Sequence, residues 1–191
     1  MLAISAGHYE KAKGAASGGF SEFPETLVWA NDIAKFYTAK YGPCYLVPSG
    51  TLSHKIRNIK KLVSESKIKL ALEIHFNSSA SGKGKGSETL YYPGSIKGAA
   101  AAATMQNMLA SIFPPNRGIK EAWHRMDVPG QVDYLGDVDG DETINAFVSI
   151  PGVVCLVIEP EFVQNGPVIK ALSATACELI ADACNTIINS L

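Results

Sequence analysis

Three side chains that can bind metals or carry protons stand where apolar, strand-like segments end. His8 follows the segment Leu2–Ser5, His75 lies at the end of "IKLALEIHF", and Glu159 closes "PGVVCLVIE". The loops that follow the carboxyl ends of parallel strands converge at one edge of a sheet, where ligands collect. We therefore expect His8, His75 and Glu159 to lie close together.

A further carboxylate is available at the same edge. Glu22 and Glu25 both lie at the junction between the loop after the first strand and the helix that follows it. Two histidines and one carboxylate leave a coordination position open for water, which is typical of catalytic rather than structural zinc. Zinc lowers the pKa of bound water to about 7, and a second carboxylate that is not a ligand can then carry the proton. Glu159 suits that second role.

Several of these residues also have purely structural interpretations. A lone histidine such as His8 is more often hydrogen-bonded to the backbone than bound to a metal. Asn77 fits a turn as well as a substrate site, and Arg57 fits an exposed helix face or an ion pair. Glu73 shares the predicted strand face of His75, but pairing with Lys69 or exposure to solvent would explain it equally well.

The elements that must position these residues alternate between strands and helices. Apolar runs predict strands at Leu2–Ser5, Cys44–Pro48, Ile68–Phe76, Ser87–Tyr92 and Pro151–Glu159. Helical spacing predicts helices at Pro24–Gly42, Leu52–Ser66, Ile96–Phe113 and Gly166–Leu191. This alternation indicates an α/β fold, with a mostly parallel twisted sheet and helices on both faces.

Composition limits the classes of protein that fit. A chain of 191 residues with 47% hydrophobic residues is expected to form one domain over residues 1–191, without a second module. A net charge of −1 gives no general attraction to nucleic acid or to an anionic membrane. The first residues lack the pattern of a signal peptide, and no window approaches about 20 apolar residues. We therefore expect synthesis in the cytoplasm and no membrane insertion.

The remaining motifs give weaker predictions. The four cysteines are expected to be buried free thiols, because Cys155 lies in an apolar run and the others show no CxxC spacing. The acidic stretch "DVDGDE" at 137–142 fits a solvated loop better than a calcium loop, since Glu142 replaces the required glycine. Trp123 suits either the wall of a groove or a local core.

The same residues, taken in order, resemble a known family. The motif "AGH", a Glu that opens the first long helix, an Arg before the third strand, "IHFN" and "PGVVCLVIEPEFVQN" together resemble the zinc-dependent N-acetylmuramoyl-L-alanine amidases of the amidase-3 family. The stretch "GKGSETLYY" further resembles phage endolysins of that family. The resemblance covers essentially the whole chain.

The resemblance implies a site and a reaction. It assigns Zn²⁺ to His8, Glu22 and His75, and it assigns catalysis to Glu159. Glu22 fits the family better than Glu25, because apolar residues then fall at the family's positions along the helix. Asn77 and Arg57 become candidates for substrate binding. The expected reaction is hydrolysis of the amide between N-acetylmuramic acid and L-alanine.

One departure from the family concerns the segment after the catalytic carboxylate. The family carries a Gly-Phe pair where this chain has Glu161 and Phe162. The extra carboxylate at Glu161 leaves open whether Glu159 alone carries the proton.

The resemblance also implies a partner and a place of action. Peptidoglycan is the expected substrate, and the enzyme is expected to act on the cell wall after release from the cytoplasm, with no separate cell-wall-binding domain. Another zinc peptidase and a non-catalytic wall-binding domain remain alternatives. The sequence does not predict the oligomeric state.

Overall fold

The computed structural model describes residues 1–65, 67–122 and 143–191, so Trp123 and the acidic stretch 137–142 lie outside the described residues. The strands are β1 (Leu2–Ala6), β2 (Ala16–Ser17), β3 (Phe20–Ser21), β4 (Cys44–Leu46), β5 (Leu70–Ile74), β6 (Ser87–Tyr91), β7 (Asn116–Glu121) and β8 (Val154–Glu159). The α-helices are α1 (Glu22–Tyr41), α2 (Leu52–Ser64), α3 (Ile96–Ile112), α4 (Thr143–Val148) and α5 (Gly166–Ser190).

Six of these strands form one mixed sheet in the order β4-β1-β5-β8-β6-β7, and β2 and β3 form a separate hairpin. Strands β4, β1, β5 and β8 are parallel, whereas β6 runs antiparallel to β8 and β7 runs parallel to β6. The predicted α/β fold with a mostly parallel sheet is confirmed. The strand β7 and the reversed direction of β6 were not expected from the sequence.

Burial explains why some strands were visible in the sequence and others were not. Strands β1 and β5 are buried at every residue, and so is nearly all of β8. A strand covered on both faces appears as a continuous apolar run. By contrast, β7 is an edge strand with the polar sequence "NRGIKE", and it lacks that signal.

The helices cover the sheet on both faces. On one face, α1, α3 and α5 pack over Leu72, Ile74 and Ile158, and Trp29 and Ile33 of α1 are fully buried there. On the other face, α2 and α4 pack over the alternate residues of the strands. Because strand residues alternate between the two faces, every second residue of β5 faces α2, and Glu73 is one of them.

The four cysteines are free thiols, as predicted. Three of them, Cys155, Cys177 and Cys184, are buried, and Cys44 is half-buried. Burial raises the pKa of the Cys155 thiol to about 12, so this thiol stays protonated at neutral pH.

One helical segment is more apolar than the sequence analysis expected, since no segment was predicted to be long and apolar enough to cross a membrane. By length and mean hydropathy alone, Val163–Ser190 is long and apolar enough to cross a membrane. In the folded chain this segment is largely α5, whose Cys177, Ile180 and Cys184 are buried in the core between the sheet and the neighbouring helices. A buried core helix passes the same test of length and composition, so α5 is accounted for by its packing.

Candidate metal centre

His8, Glu22 and His75 come together beyond the carboxyl ends of β1 and β5, as the sequence predicted. Their ligand atoms all lie within 4.8 Å of one another. The Nε2 atom of His8 lies 3.1 Å from Oε2 of Glu22, and the Nδ1 atom of His75 lies 3.2 Å from Oε1 of the same carboxylate. One carboxylate group therefore bridges the two imidazoles.

Backbone hydrogen bonds fix the carboxylate of Glu22 in this position. Its Oε1 accepts a hydrogen bond of 2.9 Å from the amide of Phe76, and its Oε2 accepts one of 2.9 Å from the amide of Ala15. Glu22 is the first residue of α1 and is buried. Glu25 lies one turn further along, is only half-buried and is not part of the cluster. The structure thus brings Glu22, and not Glu25, to the histidines.

The backbone around His8 is unusually constrained. His8 adopts a left-handed conformation with φ of 58°, which is uncommon for a residue other than glycine. Such strain is concentrated at functional sites. A Cβ atom on Gly7 would lie 2.5 Å from the carbonyl oxygen of Ile74 and 2.7 Å from the ring of His75. The close approach of the two strand ends therefore requires glycine at position 7.

Gly7→Ala is therefore expected to push the ring of His75 away from Glu22. Overpacking of this kind typically costs about 1–3 kcal/mol of stability, and we expect zinc affinity to fall as well. Gly18→Ala is the control for zinc affinity, because its Cβ would meet no atom within 4 Å. Unlike Gly7, Gly18 has a positive φ of 54°, so alanine there is also expected to cost some stability. Thermal melting and chelator competition on both variants measure the two effects. An unchanged zinc affinity in Gly7→Ala would contradict the expectation.

The charges of the cluster favour a bound cation. Burial alone would raise the pKa of Glu22, but hydrogen bonds from His75 and His8 outweigh it and hold that pKa well below its usual range. Burial opposes a charge on His75, yet Glu22 and then Glu73 raise its pKa to about 10. The carboxylates of Glu22 and Glu73 thus lie on either side of the His75 imidazole, and they stabilise positive charge there.

The donor set fits zinc. Imidazole nitrogen and carboxylate oxygen are zinc ligands, with metal–ligand distances of about 2.0–2.2 Å. Tetrahedral ligands at that distance lie about 3.3 Å apart, and the two contacts of Glu22 with the histidines measure 3.1 and 3.2 Å. Three ligands from this chain leave the fourth position for water or substrate.

Helix α2 contributes Lys55 to the site instead of Arg57. The Lys55 side chain is 3% exposed, and its Nζ donates a hydrogen bond of 2.7 Å to Oε1 of Glu73 and another to the carbonyl of Ala6. Arg57 is exposed and lies about 200° around the helix from Lys55, on the side away from the sheet. Arg57 therefore does not contact the candidate ligands, and its role in substrate binding stays a prediction. Glu73 pairs with Lys55, not with Lys69 or with solvent.

Glu159 lies beside the candidate metal ligands. Ile74 and Ile158 pair in adjacent parallel strands, and the amide of His75 donates a 2.9 Å hydrogen bond to the carbonyl of Ile158. Glu159 is the next residue along β8, and its buried Oε2 atom has no hydrogen-bond partner. Burial, and next the charge of Glu88, raise the pKa of Glu159 from 4.5 to about 8. Burial and the charge of Glu88 thus favour the protonated form of this carboxyl group in the metal-free protein.

A second charged cluster, around Glu88, was missed by the sequence analysis. Glu88 of β6 lies directly opposite Glu159 of β8 in the register of the two strands, and it is completely buried. It accepts hydrogen bonds from Asn77 Nδ2 at 2.7 Å, from Arg117 Nε at 2.9 Å and from Lys120 Nζ. Because β6 runs in the opposite direction, its first residues, and not its last, lie at the rim of the site.

Asn77 and Glu161 have structural contacts at this rim. The Asn77 side chain donates to Glu88 and accepts a hydrogen bond from the amide of Ser78. Oε1 of Glu161 accepts hydrogen bonds from the amides of Gly86 and Phe162 and from the side chain of Asn165. These contacts bind Glu161 to the loops that precede β6 and follow β8.

The family model of the N-acetylmuramoyl-L-alanine amidases, Amidase_3, matches residues 2–189. The chain belongs to this family. No curated protein sequence matches the chain.

Several solved structures share the fold of this chain. The structure of N-acetylmuramoyl-L-alanine amidase from Clostridium difficile 630 matches with a TM-score of 0.75 and 18% identity, over 99% of this chain and 96% of that one. The catalytic domain of the CD27L endolysin that targets Clostridia difficile matches with a TM-score of 0.72 and 22% identity, over 97% and 96%.

A third solved structure, Cwp6 from Clostridium difficile, matches with a TM-score of 0.72 and 21% identity. The match covers 99% of this chain and spans 28% of the Cwp6 chain. At these levels of identity the solved structures establish the common fold, whereas the match to the amidase family model establishes the family.

Proposed function

We propose that this member of the amidase family is a zinc-dependent N-acetylmuramoyl-L-alanine amidase that cleaves peptidoglycan. The convergence of His8, Glu22 and His75 beside Glu159, whose Oε2 has no hydrogen-bond partner, carries the proposal. Zinc at the three ligands would act as a Lewis acid on the amide carbonyl and lower the pKa of the attacking water.

The side chains of the protein have separate tasks in this reaction. His8, Glu22 and His75 would hold the metal, and the positive charge of that metal would lower the pKa of Glu159, so that Glu159 starts the reaction as a carboxylate. The water oxygen bonds to the carbonyl carbon of the lactyl group, and Glu159 accepts the proton of that water. The carbon–nitrogen bond then breaks, and Glu159 returns the proton to the departing amine of L-alanine. The products are a carboxylate and a free amino terminus.

We propose that the residues around Glu88 support this chemistry through Glu159. No contact between them and the substrate is proposed. Glu88 is held by Asn77, Arg117 and Lys120, so its position opposite Glu159 is fixed. A fixed negative charge there favours the protonated form of Glu159 and thus the return of the proton to the leaving group. We therefore propose that Asn77 acts through Glu88 instead of binding substrate directly.

The biological role is proposed as cell-wall lysis by a phage or prophage endolysin. The stretch "GKGSETLYY" and the common fold with an endolysin catalytic domain support this role. On this proposal the enzyme is made in the cytoplasm and acts on the cell wall after release.

Metal removal tests the proposed function. We expect about one zinc per chain in the purified protein, and loss of wall hydrolysis after treatment with a chelator and dialysis. Readdition of Zn²⁺ should restore the release of new alanine amino termini from purified peptidoglycan. Cleavage of plain peptides without release from the wall would indicate another zinc peptidase. Wall binding that is insensitive to the chelator and lacks turnover would indicate a binding domain.

A further inference from the structure

The ion pair between Lys55 and Glu73 lies directly behind the candidate metal ligands, and the proposed function does not use it. Both side chains are buried, with 3% and 5% of their side-chain surfaces exposed, and Nζ lies 2.7 Å from Oε1. Lysine and glutamate are almost never this deeply buried unless they are paired. A buried pair adds little net stability compared with an apolar pair of the same volume, because both charges lose their hydration. Stability alone therefore does not explain its position.

The pair contacts the strand ends that carry both histidines. Lys55 donates its second hydrogen bond to the carbonyl of Ala6, the last residue of β1, which leads through Gly7 to His8. Glu73 lies in β5, two residues before His75, and both side chains project on the α2 side of the sheet. One ammonium group thus connects the end of β1 to the end of β5.

The orientation of the His75 ring is set between two carboxylates. Its Nδ1 faces Glu22 at 3.2 Å, and its Nε2 faces Glu73 at 3.6 Å. A neutral imidazole that binds a metal through Nδ1 must carry its proton on Nε2. A carboxylate beside Nε2 favours that tautomer and orients the ring, as carboxylates behind metal-bound histidines commonly do.

We propose that Lys55 and Glu73 are positioning residues for the metal centre. Glu73 holds the His75 ring with Nδ1 toward the metal, and Lys55 holds Glu73 in place while fixing the strand end that leads to His8. Lys55 also neutralises the charge of Glu73, so that Glu73 does not become a fourth metal ligand. This inference rests on the proposed zinc site.

The double variant Lys55→Met, Glu73→Leu tests the inference, because it replaces the pair by apolar side chains of similar volume. Such replacements are often neutral or stabilising, so we expect the melting temperature of the metal-free protein to be retained. We expect zinc affinity, measured by competition with a chromophoric chelator, to fall roughly 10- to 100-fold. We also expect the visible spectrum of the Co²⁺-substituted protein to shift, because ligand geometry changes.

A matched control removes an ion pair far from the site. Lys40 and Asp182 pair at 2.8 Å between α1 and α5, near the end of α1 opposite Glu22. The variant Lys40→Met, Asp182→Leu should keep wild-type zinc affinity and the wild-type Co²⁺ spectrum. Glu73→Gln retains the shape of the side chain without its charge, and it provides the same two readouts if the first double variant does not fold.

The outcomes separate this inference from the proposed function. Wild-type zinc affinity and an unchanged Co²⁺ spectrum in the folded Lys55→Met, Glu73→Leu protein would overturn the positioning role while leaving the zinc site intact. The same result in Glu73→Gln would overturn it if the double variant is unfolded. Failure of the wild-type protein to bind zinc would instead overturn the proposed function, and this inference with it.

Discussion

Glu159→Gln is expected to lower the rate of wall hydrolysis by roughly 10²- to 10⁴-fold, the usual cost of losing general acid–base assistance. Glutamine has nearly the same shape as glutamate but cannot accept and return the proton. Because Glu159 is not among the clustered ligands, zinc content should stay near one per chain. The rate of appearance of alanine amino termini and the zinc per chain, measured on the same sample, check the prediction. Full activity would remove the proposed role, and loss of zinc would make Glu159 a ligand.

The stability of the same variant provides a control for folding. Folding raises the pKa of Glu159 from 4.5 to about 8, so in the metal-free protein the folded chain binds this proton more tightly than the unfolded chain. The associated stability is fully present below pH 4.5 and is lost as the pH rises through about 8. Glu159→Gln lacks this titration, so it should melt no lower than the wild-type protein at pH 8.

Glu161→Gln is the matched control for catalysis. Glu161 is also buried and lies two residues from Glu159, but its Oε1 is engaged by two amides and Asn165. An amide oxygen can accept the same hydrogen bonds, and we expect activity close to wild type. A residual rate in Glu159→Gln that disappears only when Glu161→Gln is added would show that the neighbouring carboxylate partly replaces Glu159.

Glu22→Ala is expected to abolish wall hydrolysis and to lower zinc content well below one per chain. The variant removes the only carboxylate among the three clustered ligands, and with it the group that lies within 3.2 Å of both histidines. It also removes the acceptor for the amides of Phe76 and Ala15, so some stability should be lost. Metal analysis and circular dichroism after purification separate the two effects.

Glu25→Ala is the matched control, since Glu25 lies on the same first turn of α1 and is outside the cluster. It should retain zinc and activity. Zinc loss in Glu25→Ala together with zinc retention in Glu22→Ala would contradict the ligand assignment, although it would leave the family unchanged.

The sequence was sufficient to locate the candidate site residues that lie at the carboxyl ends of buried parallel strands. His8 and His75 follow β1 and β5, and Glu159 ends β8, so apolar runs alone located them. The choice of Glu22 over Glu25 depended on the family resemblance, because only from Glu22 do apolar residues fall at the family's positions along α1, and Trp29 and Ile33 at two of these positions are buried. In each case the signal came from burial, which leaves a pattern in the sequence.

The residues that were missed depend on strand direction and on pairing in space. Glu88 is the second residue of β6, and it reaches the rim only because β6 runs antiparallel to β8. Arg117 and Lys120 lie on an edge strand with no apolar alternation. Lys55 resembles an ordinary exposed lysine of α2, because its partner Glu73 is distant in sequence. Arg57 was taken from the family resemblance, as an arginine before the third strand, and the helix exposes that residue to solvent.

The order of the strands along the chain has a consequence for synthesis on the ribosome. All three candidate ligands lie within the first 75 residues, but β8, which lies at the centre of the sheet between β5 and β6, is the last strand to be made. Until β8 is inserted, β5 is an edge strand and the amide of His75 lacks its acceptor on Ile158. A nascent chain can therefore bring the candidate ligands together early, but the carboxyl group that we propose as the proton carrier reaches the site only when β8 joins the sheet. The proposed hydrolytic activity thus requires β8 to be inserted between β5 and β6.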